Sequence, residues 1–246
     1  MFENLTRKDE IKDDSDSFGS NLINSGIYPA TIELAYIEKS KKGSTGIVMQ
    51  FKLDNGRFYN QTFWVVSRKS GDHTWTDAKG RKGYIPGFTC FDELSVVTLG
   101  THMAENDAPE RKTINVYDFT VGKEKPTEKD VYTQLIGKKC QIGILSLMED
   151  HYLESTSWQE KNDINKVFAA TGASANEVEA GADDSYVPTK DSTHGKWLQK
   201  FEGKTIDKRK ASTKGNQFVY KESTNTSTEQ TAASKTPSLF GNGPTK

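Results

Sequence analysis

The chain has 246 residues, of which 33% are apolar and 27% charged, and its 33 basic and 34 acidic side chains leave a formal charge of −1. That length suits one or two domains, and so low an apolar fraction implies that part of the chain stays outside a core. No window reaches the roughly 18 uninterrupted apolar residues of a membrane span, the opening Met1–Thr6 lacks the layout of a secretory leader, and the isolated Cys90 and Cys140 argue against a disulfide scaffold or a zinc knuckle, so a soluble cytoplasmic protein is expected.

Residues 1–24 are polar and acidic and read as a flexible arm. From Gly26 the pattern changes to period two: Tyr28, Ala30, Ile32, Leu34 and Tyr36 mark a half-buried strand near 26–38. Ile47, Met49, Phe51 and Leu53 mark a second, near 45–53. Asp54-Asn55-Gly56 follows, and an Asn-Gly pair between alternating runs signals a hairpin. Phe58 to Val66 completes a third strand. Residues 67–86 are basic and glycine-punctuated, the pattern of a protruding ribbon or long loop.

Thr89 with Asp92 predicts a capped helix over 89–99, stopped by Gly100. A strand follows over Ile114–Val121, then a short helix over Asp130–Ile136 stopped by Gly137. Cys140, Ile142, Ile144 and Leu147 mark another strand near 139–148, and Ile164–Ala169 a further one. The ordered part is expected to be one domain over 25–171. Residues 172–246 read as a largely disordered tail, since 223–238 hold nine Ser or Thr in sixteen positions and nothing apolar larger than Ala. Such a segment cannot offset its ordering entropy, about 1–2 kcal/mol per residue. Trp197, Leu198, Phe201, Phe218, Val219 and Tyr220 are isolated apolar clusters available for docking.

The near-zero charge conceals segregation. Residues 39–82 hold ten basic and three acidic side chains, whereas residues 149–184 hold two basic and nine acidic. The plain reading is two solvated surfaces of opposite sign. The basic block, however, also contains the densest aromatic run, Arg57-Phe58-Tyr59-Asn60-Gln61-Thr62-Phe63-Trp64. Its alternation puts Tyr59 and Phe63 on one face and Phe58 and Trp64 on the other. One face must enter the core, and period two alone leaves open which.

No distinctive catalytic constellation is present. The four histidines are scattered, and there is no phosphate-binding glycine loop or nucleophile elbow, so neither an enzyme nor a cofactor is expected. Cations interleaved with rings on an antiparallel sheet suit single-stranded nucleic acid: charges neutralise phosphates while rings stack on unpaired bases. The candidate nucleic-acid-binding residues are Lys52, Arg57, Tyr59, Phe63, Trp64, Arg68, Lys69, Trp75, Lys79, Arg81, Lys82 and Tyr84. The competing reading is a structural or protein-interaction β-domain whose basic patch meets an acidic partner. The predicted order is three strands, a helix, then two or more strands. It is compatible with a mainly β, OB-fold-like five-stranded antiparallel barrel with a helix between strands 3 and 4.

Several short stretches carry a family likeness. They are Gly26-Ile27-Tyr28-Pro29-Ala30-Thr31-Ile32, the helix Phe91–Gly100, Leu135-Ile136-Gly137-Lys138-Lys139-Cys140, and Asn162-Asp163-Ile164-Asn165-Lys166-Val167-Phe168. Over roughly 25–170 the chain resembles the single-stranded DNA-binding proteins encoded by tailed bacteriophages. The resemblance implies an OB-fold, protection of single strands in phage DNA replication and recombination in the host cytoplasm, and contacts with replication or recombination proteins. Many such proteins end in an acidic tail tipped by an aromatic. Here residues 206–246 carry seven basic and three acidic side chains. Only Leu239 and Phe240 offer a short docking motif, with an inert end as the plain alternative.

Overall fold

In the computed structural model, which describes residues 22–118, 121–151 and 157–210, the period-two runs become β1 (Gly26–Lys39), β2 (Thr45–Leu53) and β3 (Phe58–Val66). Gly56, at φ 83°, supplies the left-handed residue of the β2–β3 turn, closed by Leu53 N–H on Arg57 O at 2.8 Å. Two further strands of 12 residues each follow the helical insertion, β8 (Lys139–Asp150) and β9 (Trp158–Ala169). Pairing is antiparallel, β9 to β8, β8 to β1, β1 to β2 and β2 to β3. The fold is thus mainly β with antiparallel sheets.

On the edge away from β2, β1 serves two partners. Its first half, Gly26–Thr31, pairs with β8, and its second half meets β7 (Lys123–Val131) at Tyr36. A register irregularity between Ile32 and Leu34 falls where the partner changes, as expected of a bulge that bends a strand. β7 forms a hairpin with β6 (Glu110–Asp118), the strand expected from Ile114, and the expected helix over 130–136 is absent. Val131 and Leu135 are both buried, which is what their i, i+4 spacing suggested. They get there through a strand end followed by a single 3-10 turn over Thr133–Leu135.

The helix α1 (Pro86–Leu99) starts three residues before the expected range of 89–99. Ile85 is its N-cap and Pro86 opens it, a position where a missing N–H costs nothing. Asp92 does not cap; its carboxylate accepts from Met103 N–H at 2.8 Å. Cys90, Phe91, Leu94 and Val97 face the core, which also holds Ile32, Met49, Phe51, Ile142 and Val167. Packing against both β3 and β9, α1 lies over the gap between them.

No ladder joins β3 to β9 among the described residues, so the expected closed five-stranded barrel is corrected to an open sheet. One side chain crosses the gap. Gln61 on β3 donates through Nε2 to Asp163 Oδ1 at 2.6 Å, and its Oε1 accepts from Ile164 N–H at 3.3 Å. Beside the gap the first turn of α1 abuts the β3 backbone: a Cβ on Gly87 would lie 2.4 Å from Trp64 O.

The expectation of disorder from 172 onwards is corrected over 172–210. These residues contain α2 (Ala175–Glu179), α3 (Thr193–Phe201) and β10 (Thr205–Asp207), which pairs in parallel with β8. Composition misled because few apolar residues do the docking. Trp197 is buried with Leu145, Leu147 and Phe168 in a second small core, and its Nε1 donates to Asn165 Oδ1 at 3.0 Å. Its ring rests where a Cβ on Gly143 would stand 3.0 Å away. The arm over 1–21 and the segment 211–246, with Leu239 and Phe240, lie outside the described residues. Among the described residues no helix is long and apolar enough to cross a membrane.

Candidate nucleic-acid interface

The packing of α1 decides which face of β3 is which. Tyr59, Phe63 and Val65 point inward with α1 and the core, while Phe58, Asn60, Thr62 and Trp64 point outward. Phe63 is 2% exposed, so it leaves the candidate list: a ring enclosed by core side chains has no face for a base. Tyr59 is only partly buried but leaves it too. Its hydroxyl donates to Gln61 Oε1 at 3.0 Å, and burial, then the Asp163 charge, pushes that hydroxyl above its ordinary pKa. It supports the Gln61 bridge. Phe58 at 56% and Trp64 at 44% exposure are the rings that β3 presents.

The register places Lys52 opposite Phe58, Gln50 opposite Asn60, Val48 opposite Thr62 and Gly46 opposite Trp64. Gly46 is needed at its position. A Cβ would stand 2.7 Å from Thr62 Cγ2 and 2.9 Å from Trp64 Cε3, so the indole lies over β2 only because the side chain there is absent. Phe58 and Trp64 are six residues apart on one face, about 20 Å at a strand's rise. Arg57 and Lys52 flank the first ring, and Arg68 and Lys69 lie just beyond the second.

The ribbon anticipated over 67–86 is β4 (Thr74–Thr76) paired with β5 (Lys82–Tyr84). Asp77 builds its turn, accepting from Lys79 N–H at 2.8 Å, Arg81 N–H at 2.9 Å and Arg81 Nε at 2.6 Å. Those donors, the Arg81 backbone N–H first, hold the Asp77 carboxyl below the usual range. Arg81 is therefore partly committed to the turn. Trp75 lies over Gly83 and donates through Nε1 to Tyr84 O at 3.0 Å, and both Trp75 and Tyr84 remain exposed. Tyr84 stacks on His73 at 5.5 Å and meets Phe88 at 5.1 Å, which anchors the ribbon to α1. Among the described residues Arg68, Lys69, Lys79 and Lys82 have no carboxylate within ion-pair distance.

The candidates thus fall into two groups. One is the outer face with Lys52, Arg57 and Trp64, followed by Arg68 and Lys69 just past the end of β3; the other is the ribbon with Trp75, Lys79, Arg81, Lys82 and Tyr84. A cleft of about 560 Å³ at the β3–β9 gap is lined by Trp64, Ser67, Ile85 and Pro86 on one side and by Asp163 and Asn165 on the other. Part of the outer face is roofed by the β6–β7 hairpin. Lys129 on β7 pairs with Glu38 and stands 5.6 Å over the Tyr36 ring. The space left between hairpin and sheet is a second cleft of about 740 Å³.

Two contributors were not among the candidates. Phe58 was legible from its shared parity with Trp64. Tyr117, exposed on the hairpin wall, was not, because its placement depends on the pairing of Tyr36 with Val131. Both thiols are buried and free; burial pushes Cys140 up to about 12 and Cys90 upward as well. Among the described residues no three His, Cys, Asp or Glu side chains converge as metal ligands. Compared with models of known protein families and with curated protein sequences, the chain matches none.

Proposed function

We propose that this protein binds single-stranded DNA with little sequence preference and protects it during phage DNA replication and recombination, without catalysing a reaction. The observation that carries the reading is the outer face of β2 and β3. Two exposed rings, Phe58 and Trp64, lie on one antiparallel surface with Lys52 and Arg57 at one end and Arg68 and Lys69 at the other. Rings of this kind accept any base, each stacked base being worth about 1–3 kcal/mol, while cations take the phosphates. The ribbon, with Trp75, Tyr84, Lys79 and Lys82, continues the track beyond Trp64.

The strand order supports an OB-like reading. The order β9-β8-β1-β2-β3, with α1 between β3 and β8, is that of an OB barrel opened between its third and last strands. In that architecture the second and third strands form the oligonucleotide face. Replication or recombination proteins are the proposed partners, reached through the segment that carries Leu239 and Phe240.

Fluorescence anisotropy with labelled oligo-dT and a matched duplex tests the reading. The single strand is expected to bind more tightly, with affinity falling steeply as salt rises. Equal or better binding of the duplex, or indifference to salt, would refute it. Absence of binding to both would favour an acidic protein as the partner.

A further inference from the structure

The cleft between the outer sheet face and the β6–β7 hairpin has chemistry that strand protection alone does not use. Gln50, Asn60 and Asn115 bring carboxamides to it, and Glu124 brings a carboxylate. Gln61 on the inner side holds Asp163, Gln141 holds Ala170 O and Asn162 holds Ile23 O, and within the cleft itself Glu38 is taken up by Lys129. Among the described residues the four cleft side chains have no such partner. Together they line a space of about 740 Å³, within the roughly 300–1,000 Å³ of small-molecule sites. Tyr117 stands opposite Glu124 in the β6–β7 ladder and offers a ring beside the carboxylate.

We infer that this cleft is a base-reading subsite that favours guanine within a bound strand, an inference that rests on the single-strand reading above. An ionised carboxylate only accepts hydrogen bonds. Guanine presents N1–H and the N2 amino group side by side, two donors matched to two carboxylate oxygens. Thymine presents one N–H between two carbonyls, which a carboxylate repels. Cytosine and adenine each offer a single amino group beside a ring acceptor. The carboxamides of Gln50, Asn60 and Asn115 both donate and accept, so they complete the contact without selecting the base. Selection falls to Glu124.

The test compares three labelled oligonucleotides by competition anisotropy: oligo-dT, the same strand with well-separated guanines, and the same strand with inosine, which lacks the N2 amino group. The guanine strand is expected to bind about five- to tenfold more tightly than oligo-dT, the lower part of the range for a matched pair of base contacts, with inosine between them. In Glu124→Gln the oligo-dT affinity rises, because a repulsive charge is gone, and the three strands converge. Equal affinities in the wild-type protein, or a guanine preference that survives Glu124→Gln, would overturn the subsite while leaving single-strand binding intact. Free dGMP that saturates the protein as tightly as the guanine strand would also overturn it, by making the cleft a free-nucleotide site. Failure to bind any of the strands would overturn both readings.

Discussion

Replacing Phe58 and Trp64 together by alanine removes the two rings that the outer face presents while sparing the core beneath. Both side chains are about half exposed and point away from Phe63 and Val65, so folding is expected to survive the change. Trp64 already rests against Gly46, which leaves one ring face for a base. Phe58 at the other end of the strand adds a second. At about 1–3 kcal/mol per stacked base, each loss weakens oligo-dT binding by about 5- to 150-fold. The rings lie about 20 Å apart on β3 and share no partner, so their effects should add to about 2–6 kcal/mol. The assay is anisotropy of labelled oligo-dT at one fixed salt concentration, beside a thermal melt of each variant. A double variant that melts like the wild type and binds with unchanged Kd would refute the assignment of these rings to the interface.

Other outcomes follow from the same geometry. Lys79→Ala with Lys82→Ala should flatten the log K against log salt slope by about 0.7 for each phosphate no longer neutralised; an unaltered slope places the ribbon outside the DNA track. Gly87→Ala forces a Cβ against the Trp64 carbonyl and should cost about 1–3 kcal/mol, seen as a Tm lower by about 2–12 °C. Trp197→Ala should cost about 3–5 kcal/mol and speed proteolysis between 172 and 210, since the indole is what docks α3 on the sheet. By NMR titration, His102 should titrate above the ordinary histidine range, raised by its hydrogen bond to Asp92, and His194 below it, lowered by burial. The His102 contribution to stability is full below the unfolded value, about 6.5, and is lost as pH rises through its folded value. The His194 contribution has the opposite sign: it is present above about 6.5 and lost as pH falls through its folded value.

The first three strands were readable because alternation and the Asn55-Gly56 turn agree with each other. The two faces of β3 were not separable, since both carry aromatics and period two says nothing about where a helix will lie. Only the docking of α1 on the Tyr59–Phe63 side resolves that. The β6–β7 hairpin was half visible because its strands are rich in mutually paired charges, such as Arg111 with Asp130, rather than in alternating apolar residues. Residues 172–210 were misread because composition averages over a segment whose docking depends on single anchors. Trp197 on Gly143 and Ser192 capping α3 at Gly195 N–H are local events that an apolar fraction does not register.

Gln61 works as a clasp. Where a closed barrel would spread its fastening over a row of main-chain hydrogen bonds, this molecule gathers it at one carboxamide that engages Tyr59, Asp163 and Ile164 together. That task needs a donor and an acceptor in a single planar group, which neither leucine nor glutamate supplies at neutral pH. The two edge strands of the sheet are consequently fastened by a hook rather than a hem, and hydrogen exchange along the rims beside that hook should outpace exchange in the neighbouring strand interiors.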